Sequence, residues 1–324
     1  MRTFTAFACL LTAAVAAGQS SQPAAGNGVR LTKYILGVAD LDRTYAFYHA
    51  LGLDLANGRT LTKPNPLPDV LLKLVDVPSG TKFRNMMLKI PNTGFDLEVT
   101  EFSNLDLHPA RPRIQDPGAS LLVLAVGDLD AALATAKQAG AEVVTKGGVP
   151  VSGNGRAVRV IIVKDPDGYY VELAQPPAMP ADAPGKAIGA ALISIVENSE
   201  KAAAFYRDQF GFTVKTTDWT TEFDAGLGTP AAHVRTATAM LPGSSITWSF
   251  FEFKGMDRKP SSPRIPDPGA SAFGLQVPDL DAAITSVKTA GGASITQGGS
   301  VTLGNGKVGF VRDPNGILVE VAQP

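Results

Sequence analysis

The chain repeats itself, which limits it to architectures built from copies of one unit. Pro112-Arg113-Ile114-Gln115-Asp116-Pro117-Gly118-Ala119-Ser120 recurs as Pro263-Arg264-Ile265-Pro266-Asp267-Pro268-Gly269-Ala270-Ser271. At the same offset Arg84 falls on Arg235, Glu101 on Glu252, Asp128 on Asp279 and Gly140 on Gly291. Gly153-Asn154-Gly155 falls on Gly304-Asn305-Gly306, a turn signal with no helix after it, so not a phosphate loop. Phe47-Tyr48 matches Phe205-Tyr206 across a longer loop in the first copy. The chain therefore reads as two related domains, residues 30–175 and 187–324, joined by a Pro/Ala-rich linker over 176–186.

Each domain contains a finer repeat. Val38-Ala39-Asp40-Leu41-Asp42, Val126-Gly127-Asp128-Leu129-Asp130 and Val277-Pro278-Asp279-Leu280-Asp281 share one form, with Val196-Glu197-Asn198-Ser199-Glu200 a weaker fourth copy. In all four an apolar strand runs into an Asp or Asn that suits a helix N-cap, and an acidic residue in the first turn suits the helix dipole. The helices are expected to stop at Gly52, Gly140, Gly211 and Gly291. Asp165-Pro166-Asp167-Gly168 and Asp313-Pro314-Asn315-Gly316 read as tight turns feeding closing strands that carry Glu172 and Glu320. The unit is strand–helix–strand–strand–strand, four times over, which makes an α+β fold.

Composition excludes some partners and fixes the redox chemistry. A formal net charge of −1 with 29 Lys+Arg leaves no electrostatic footprint for nucleic acid. Arg2 and the apolar run from Phe4 to Ala17, with Val15-x-Ala17 as a small-residue cleavage site, read as a signal peptide over 1–17. A flexible lead-in over 18–29 follows. The expectation is a periplasmic or secreted protein without a membrane span once the leader is removed. Cys9, the only cysteine, lies in that leader, so the mature chain has no disulfide and no cysteine-based metal site.

The strand-Asp-Leu-Asp-helix starts, Phe47-Tyr48 with Leu51-Gly52, Phe205-Tyr206 with Phe210-Gly211, and the two Asp-Pro-x-Gly-x-x-x-Glu endings together resemble the vicinal oxygen chelate superfamily, also called the glyoxalase/bleomycin resistance/dioxygenase family. The resemblance covers residues 30–324 and implies two tandem domains, each a pair of βαβββ modules forming a curved mixed sheet around a pocket. It also implies a divalent metal held by a His opening the first strand of a module, seven positions before the capping Asp, and a Glu closing the module.

This sequence departs from that pattern. In the first domain the openers are Lys33 and Leu121 and the closers Glu98 and Glu172; in the second they are Ala191 and Ala272, with closers Ser249 and Glu320. The chain has 3 His, and neither His49 nor His108 occupies a family ligand position. His233 begins a strand and is a candidate for the second pocket. Glu98 and Glu172 are thus the remnants of a metal set, with Lys33 placed to neutralise them; the competing reading has all three solvated. Arg84 and Arg235 are candidates for an anionic ligand or for a structural ion pair with Glu101 and Glu252, or with Asp116 and Asp267. Trp219 and Trp248 either line the second pocket or pack the core. Two functions stand open. One is a binding protein for a small-molecule ligand with no cofactor. The other is a lyase, isomerase or dioxygenase-type enzyme using an atypical divalent metal or a metal-free carboxylate site.

Overall fold

The structure is a computed structural model that describes residues 28–60, 63–152, 158–177, 179–180, 182–221, 223–227, 229 and 232–324. The leader over 1–17, most of the lead-in and the Gly153-Asn154-Gly155 turn lie outside the described residues. Four modules follow one another. The first comprises β1 (Arg30–Val38), α1 (Leu41–Ala50), β2 (Asp54–Thr60), β3 (Asn65–Pro66), α2 (Asp69–Val75), β4 (Lys82–Lys89) and β5 (Asp96–Ser103). The second comprises β6 (Ser120–Val126), α3 (Leu129–Gln138), β7 (Glu142–Val143), β8 (Val151–Ser152), β9 (Arg159–Lys164) and β10 (Tyr170–Gln175). The third comprises β11 (Ala187–Ile195), α4 (Ser199–Phe210), β12 (Thr213–Thr216), α5 (Asp224–Leu227), β13 (His233–Met240) and β14 (Thr247–Lys254). The fourth comprises β15 (Ser271–Gln276), α6 (Leu280–Thr289), β16 (Ala293–Ser294), β17 (Val301–Leu303), β18 (Gly306–Arg312) and β19 (Leu318–Gln323).

Local chemistry sets the helix ends as the sequence suggests. Asp40, Asp128, Asn198 and Asp279 each accept a hydrogen bond from a backbone N–H of the following first turn. Gly52, Gly140, Gly211 and Gly291 all take positive φ just past the helices, the conformation that a side chain disfavours. Glu101 accepts from the Leu41 N–H at the start of α1, and Glu252 from the Ser199 N–H at the start of α4. That shared task explains why the pair recurs.

The modules assemble into two mixed sheets. The order in the first is β16-β18-β19-β15-β1-β5-β4-β2, and in the second β12-β13-β14-β11-β6-β10-β9-β7. Within every module the opening strand lies parallel to the closing one, so its other edge is left open. An open edge exposes unpaired backbone groups and must be covered. Here β1 pairs with β15, and β6 with β11, both antiparallel. The first sheet therefore joins modules one and four, and the second joins modules two and three. Each sheet takes one module from each sequence half.

The repeated Pro-Arg-Ile-x-Asp-Pro-Gly-Ala-Ser crossovers hold this arrangement. The Gly118 N–H donates to the Ile195 carbonyl and the Ile195 N–H to the Ala119 carbonyl, extending the β6–β11 ladder. Gly269 and Gly37, with Gly37 and Ala270, do the same beside β1 and β15. The two crossovers also bond each other: the Ala110 N–H donates to the Pro268 carbonyl and the Ser261 N–H to the Pro117 carbonyl, 2.7 Å each. Gly118 and Gly269, at φ +96 and +95, lie where an added Cβ would strike the opposite crossover's backbone. The linker is docked too, with the Asp128 N–H donating to the Pro184 carbonyl and the Ala187 N–H to the Leu51 carbonyl.

One face of each sheet joins the helices in a common core around Tyr34, Phe47, Tyr206, Trp248 and Phe273. Trp248 and Phe273 pack across the two sheets at 4.2 Å between ring centroids, their planes tilted by 30°. Trp248 is thus a core residue, whereas Trp219 is half-buried under the Lys254 ammonium and the Arg235 guanidinium. The other face of each sheet is concave, and the two concave faces differ.

Candidate functional site

On the first sheet the concave face lines an open cavity. Strand alternation sends Ile35 from β1, Asn85 from β4, Glu98 and Thr100 from β5, Ala272 from β15 and Leu318 and Glu320 from β19 to this side. Helix α2 covers it with Leu71, Leu74 and Val75, and Phe83, Phe102 and Phe310 complete apolar walls. The fourth module anchors the helix: Thr296 Oγ1 donates to the Leu74 carbonyl and the Gln297 N–H to the Lys73 carbonyl.

The polar groups of the cavity converge on Lys33. Its Nζ stands 2.6 Å from Glu98 Oε2 and 2.8 Å from Glu320 Oε1. The register explains how one ammonium reaches both. Lys33 on β1 lies opposite Gly274 on β15, which lies opposite Glu320 on β19. Two strand spacings, roughly 10 Å, separate the outer backbones. The lysine stem crosses that distance over the bare glycine, where an added Cβ would come within 2.5 Å of Lys33 Cγ. Burial alone would push the Lys33 pKa down, but the charges of Glu98 and Glu320 outweigh it and hold the ammonium above its ordinary value. Glu320 is pushed up from the usual carboxylate range by its own burial, against the pull of Lys33 and with the charge of Glu98 adding to the rise. Asn85 Nδ2 donates at 2.8 Å to both Glu98 Oε1 and Thr100 Oγ1.

The sequence places Lys33 and Glu98 together correctly but gives them the wrong third member. Glu172 sits on β10 of the second sheet, opposite Val123 and in one row with Ala191, so it does not meet Lys33. Glu320 takes that place because module four, not module two, pairs with module one. The signal that was available is Gly274, whose missing side chain frees the lysine's path.

Arg84 and His233 are corrected as pocket residues. Arg84 pairs in register with Glu101, on the face of β4 opposite to Asn85, and binds Glu101 and Asp42. Arg235 repeats this with Glu252 and Glu200. The structural ion-pair reading holds, with Asp116 and Asp267 bound instead by Arg113 and Arg264. His233 is exposed and lies on the opposite face of β13 from Val234, which packs into the second concave face. His49 and His108 are exposed beside Asp54 and Asp106. Among the described residues no group of three or more His, Cys, Asp or Glu converges.

On the second sheet the described residues form an apolar cluster on the concave face. Phe223 and Leu227, the counterparts of the α2 cover, pack with Val123, Ile162, Phe251 and Phe253. Thr145 Oγ1 donates to the Gly226 carbonyl, as Thr296 does to Leu74 in the first sheet, so the two sheets share this frame.

Four βαβββ modules are paired into two mixed sheets, with an open cavity on the first. The sequence model of the Glyoxalase/Bleomycin resistance protein/Dioxygenase superfamily matches residues 30–173 and 190–321, and the chain belongs to that superfamily. Glyoxalase I from Zea mays is similar in structure, with a TM-score of 0.62 at 19% identity over 91% of this chain and 92% of that one. A mutant of that Zea mays enzyme matches equally, at 18% identity over 91% and 94%. A putative dioxygenase from Bacillus subtilis matches at a TM-score of 0.49 and 13% identity, over 92% and 86%. No curated protein matches this sequence significantly. No helix among the described residues is long and apolar enough to cross a membrane.

Proposed function

We propose that this protein is an exported, metal-free small-molecule-binding member of the superfamily, working through the cavity on the first sheet. The observation that carries this reading is the Lys33 ammonium lodged between Glu98 and Glu320. The two carboxylates that would hold a divalent metal already share a cation on a lysine stem, and a metal placed between them would meet Lys33 by direct repulsion. Oxygen donors alone also suit hard ions rather than Zn or Ni. The donor set does not fit a resident transition metal. Metal analysis of purified protein tests this, and stoichiometric Zn, Ni or Fe would overturn it.

The apolar walls supply the affinity. A ligand that buries apolar surface there gains roughly 25 cal/mol per Å² before the costs of association. Titration with neutral 1-naphthylmethanol, followed by its fluorescence, is expected to give saturable binding at one site per chain. Ala272→Phe, which projects a ring into the cavity from β15, is expected to weaken that binding at least tenfold. No binding by the wild type, or equal binding by the variant, would sink the assignment.

A second reading, a metal-free lyase or isomerase, draws on Glu320 alone. A carboxylate with raised pKa inside an apolar cavity is equipped for proton transfer. A natural ligand recovered chemically unchanged after incubation favours the binding protein, and a product favours the enzyme. Export rests on the Arg2-led apolar leader. N-terminal sequencing from the native host is expected to start near Gly18, and an intact Met1 on cytoplasmic protein would refute it.

A further inference from the structure

The polar floor of the cavity holds two carboxylates for one ammonium, and acceptors on it stay open. Lys33 carries one positive charge against the two carboxylates Glu98 and Glu320, which leaves a net charge of −1 at the base of an apolar chamber. Asp96, on the same face of β5 as Glu98, lies opposite Lys89 in register, and the Lys89 charge acts on it more strongly than that of Lys33. The nitrogen donors face the carboxylates, while the Thr100 hydroxyl accepts from Asn85 and keeps its own proton to donate. Lys33 Nζ is committed to Glu98 and Glu320, and Asn85 Nδ2 to Glu98 Oε1 and Thr100 Oγ1. Two acceptors that line the chamber take no hydrogen bond from the described residues: Glu320 Oε2 and Asn85 Oδ1. A ligand end that donates hydrogen bonds and carries positive charge would satisfy both and neutralise the floor. An anionic end would meet a like charge in a poorly solvated setting, which costs far more than in water.

From these atoms we infer that the ligand is an apolar, preferably aromatic, amine: a hydrophobic body filling the space under α2 and a protonated nitrogen seated against Glu320 Oε2 and Asn85 Oδ1. This specificity rests on the cavity being the binding site, as proposed above. Selectivity comes from the one uncompensated carboxylate, while Lys33 holds Glu98 and Glu320 apart and fixes their rotamers. On the second sheet Ala191 and Ser249 occupy the places of Lys33 and Glu98, so the lysine-centred trio is not repeated there.

The test uses one aromatic body with three ends. 1-Naphthylmethylamine, 1-naphthylmethanol and 1-naphthoate are titrated into the full chain at pH 7 and low salt. The amine is expected to bind at least tenfold more tightly than the alcohol, and the carboxylate more weakly than either. Glu320→Gln, which leaves Lys33 paired with Glu98 alone and neutralises the floor, is expected to reduce the amine's advantage over the alcohol from at least tenfold to less than about twofold. The wild-type series decides the matter even if that variant fails to fold. Equal affinities across the series, or a carboxylate that binds best, would overturn the amine assignment while leaving the cavity in place. Failure of all three, the neutral alcohol included, would overturn the cavity as the binding site and the amine inference with it.

Discussion

Lys33→Ala is expected to cost about 3–5 kcal/mol of folding stability near neutral pH, because it strands two neighbouring carboxylates in a largely apolar chamber. Glu98 and Glu320 would then repel each other with no cation between them. The chamber's remaining relief is to protonate one of them. Glu320 is the group to take the proton, since burial and the charge of Glu98 already push its pKa up and Lys33 is what holds it down. The cost should therefore shrink as pH falls through the range where Glu320 protonates. Urea denaturation of wild type and variant at pH 7.5 and pH 5 measures both effects. A loss below about 1 kcal/mol at pH 7.5 would mean that the trio is effectively solvated and that the ion pair is a surface one.

Asp165→Asn is expected to flatten the pH dependence of stability between about pH 4 and pH 7. Asp165 is buried in the turn before β10 and accepts hydrogen bonds from the Asp167 and Tyr169 N–H groups and the Tyr48 hydroxyl. Burial drives its pKa up to about 7, with the charge of Asp167 adding to the rise and the hydrogen bonds from Tyr169 and Tyr48 opposing it. A carboxyl whose pKa is higher folded than unfolded takes up a proton on folding. The stability that this provides is fully present below the unfolded value of 3.8 and is lost as pH rises through about 7. Over that window the wild type should lose on the order of 4 kcal/mol through this residue. Asparagine has no charge to bury, keeps an acceptor for the two N–H groups and can donate to the Tyr48 hydroxyl. Asp313, in the matching turn before β19, is pushed up to about 6 chiefly by burial and supplies a second slope that the variant retains. Denaturation curves at pH 4, 5.5 and 7 should show the variant gaining on the wild type as pH rises. Parallel profiles would refute the account.

How much of this was legible in the chain divides along the reach of the interactions. The sequence by itself determined the module: the capping Asp40, Asp128, Asn198 and Asp279, the glycines past the helices and the two Asp-Pro turns are local devices whose chemistry acts within a few residues. It also placed Lys33 and Glu98 together, because the opening and closing strands of one module are always parallel neighbours. The ion pairs of Arg84 with Glu101 and Arg235 with Glu252 were legible for the same reason, as adjacent strands of one hairpin. Only the tertiary structure decided which module covers which open edge. Four like edges can pair one with two and three with four, or one with four and two with three, and the strand patterns serve both equally. The crossovers choose, through the mutual bonds of Ala110 with Pro268 and Ser261 with Pro117, contacts between segments far apart in sequence. That choice replaced Glu172 by Glu320 beside Lys33. What lies over each concave face was equally non-local, because α2 with Leu71, Leu74 and Val75 on the first and Phe223 on the second meet strands that only the folded chain brings near.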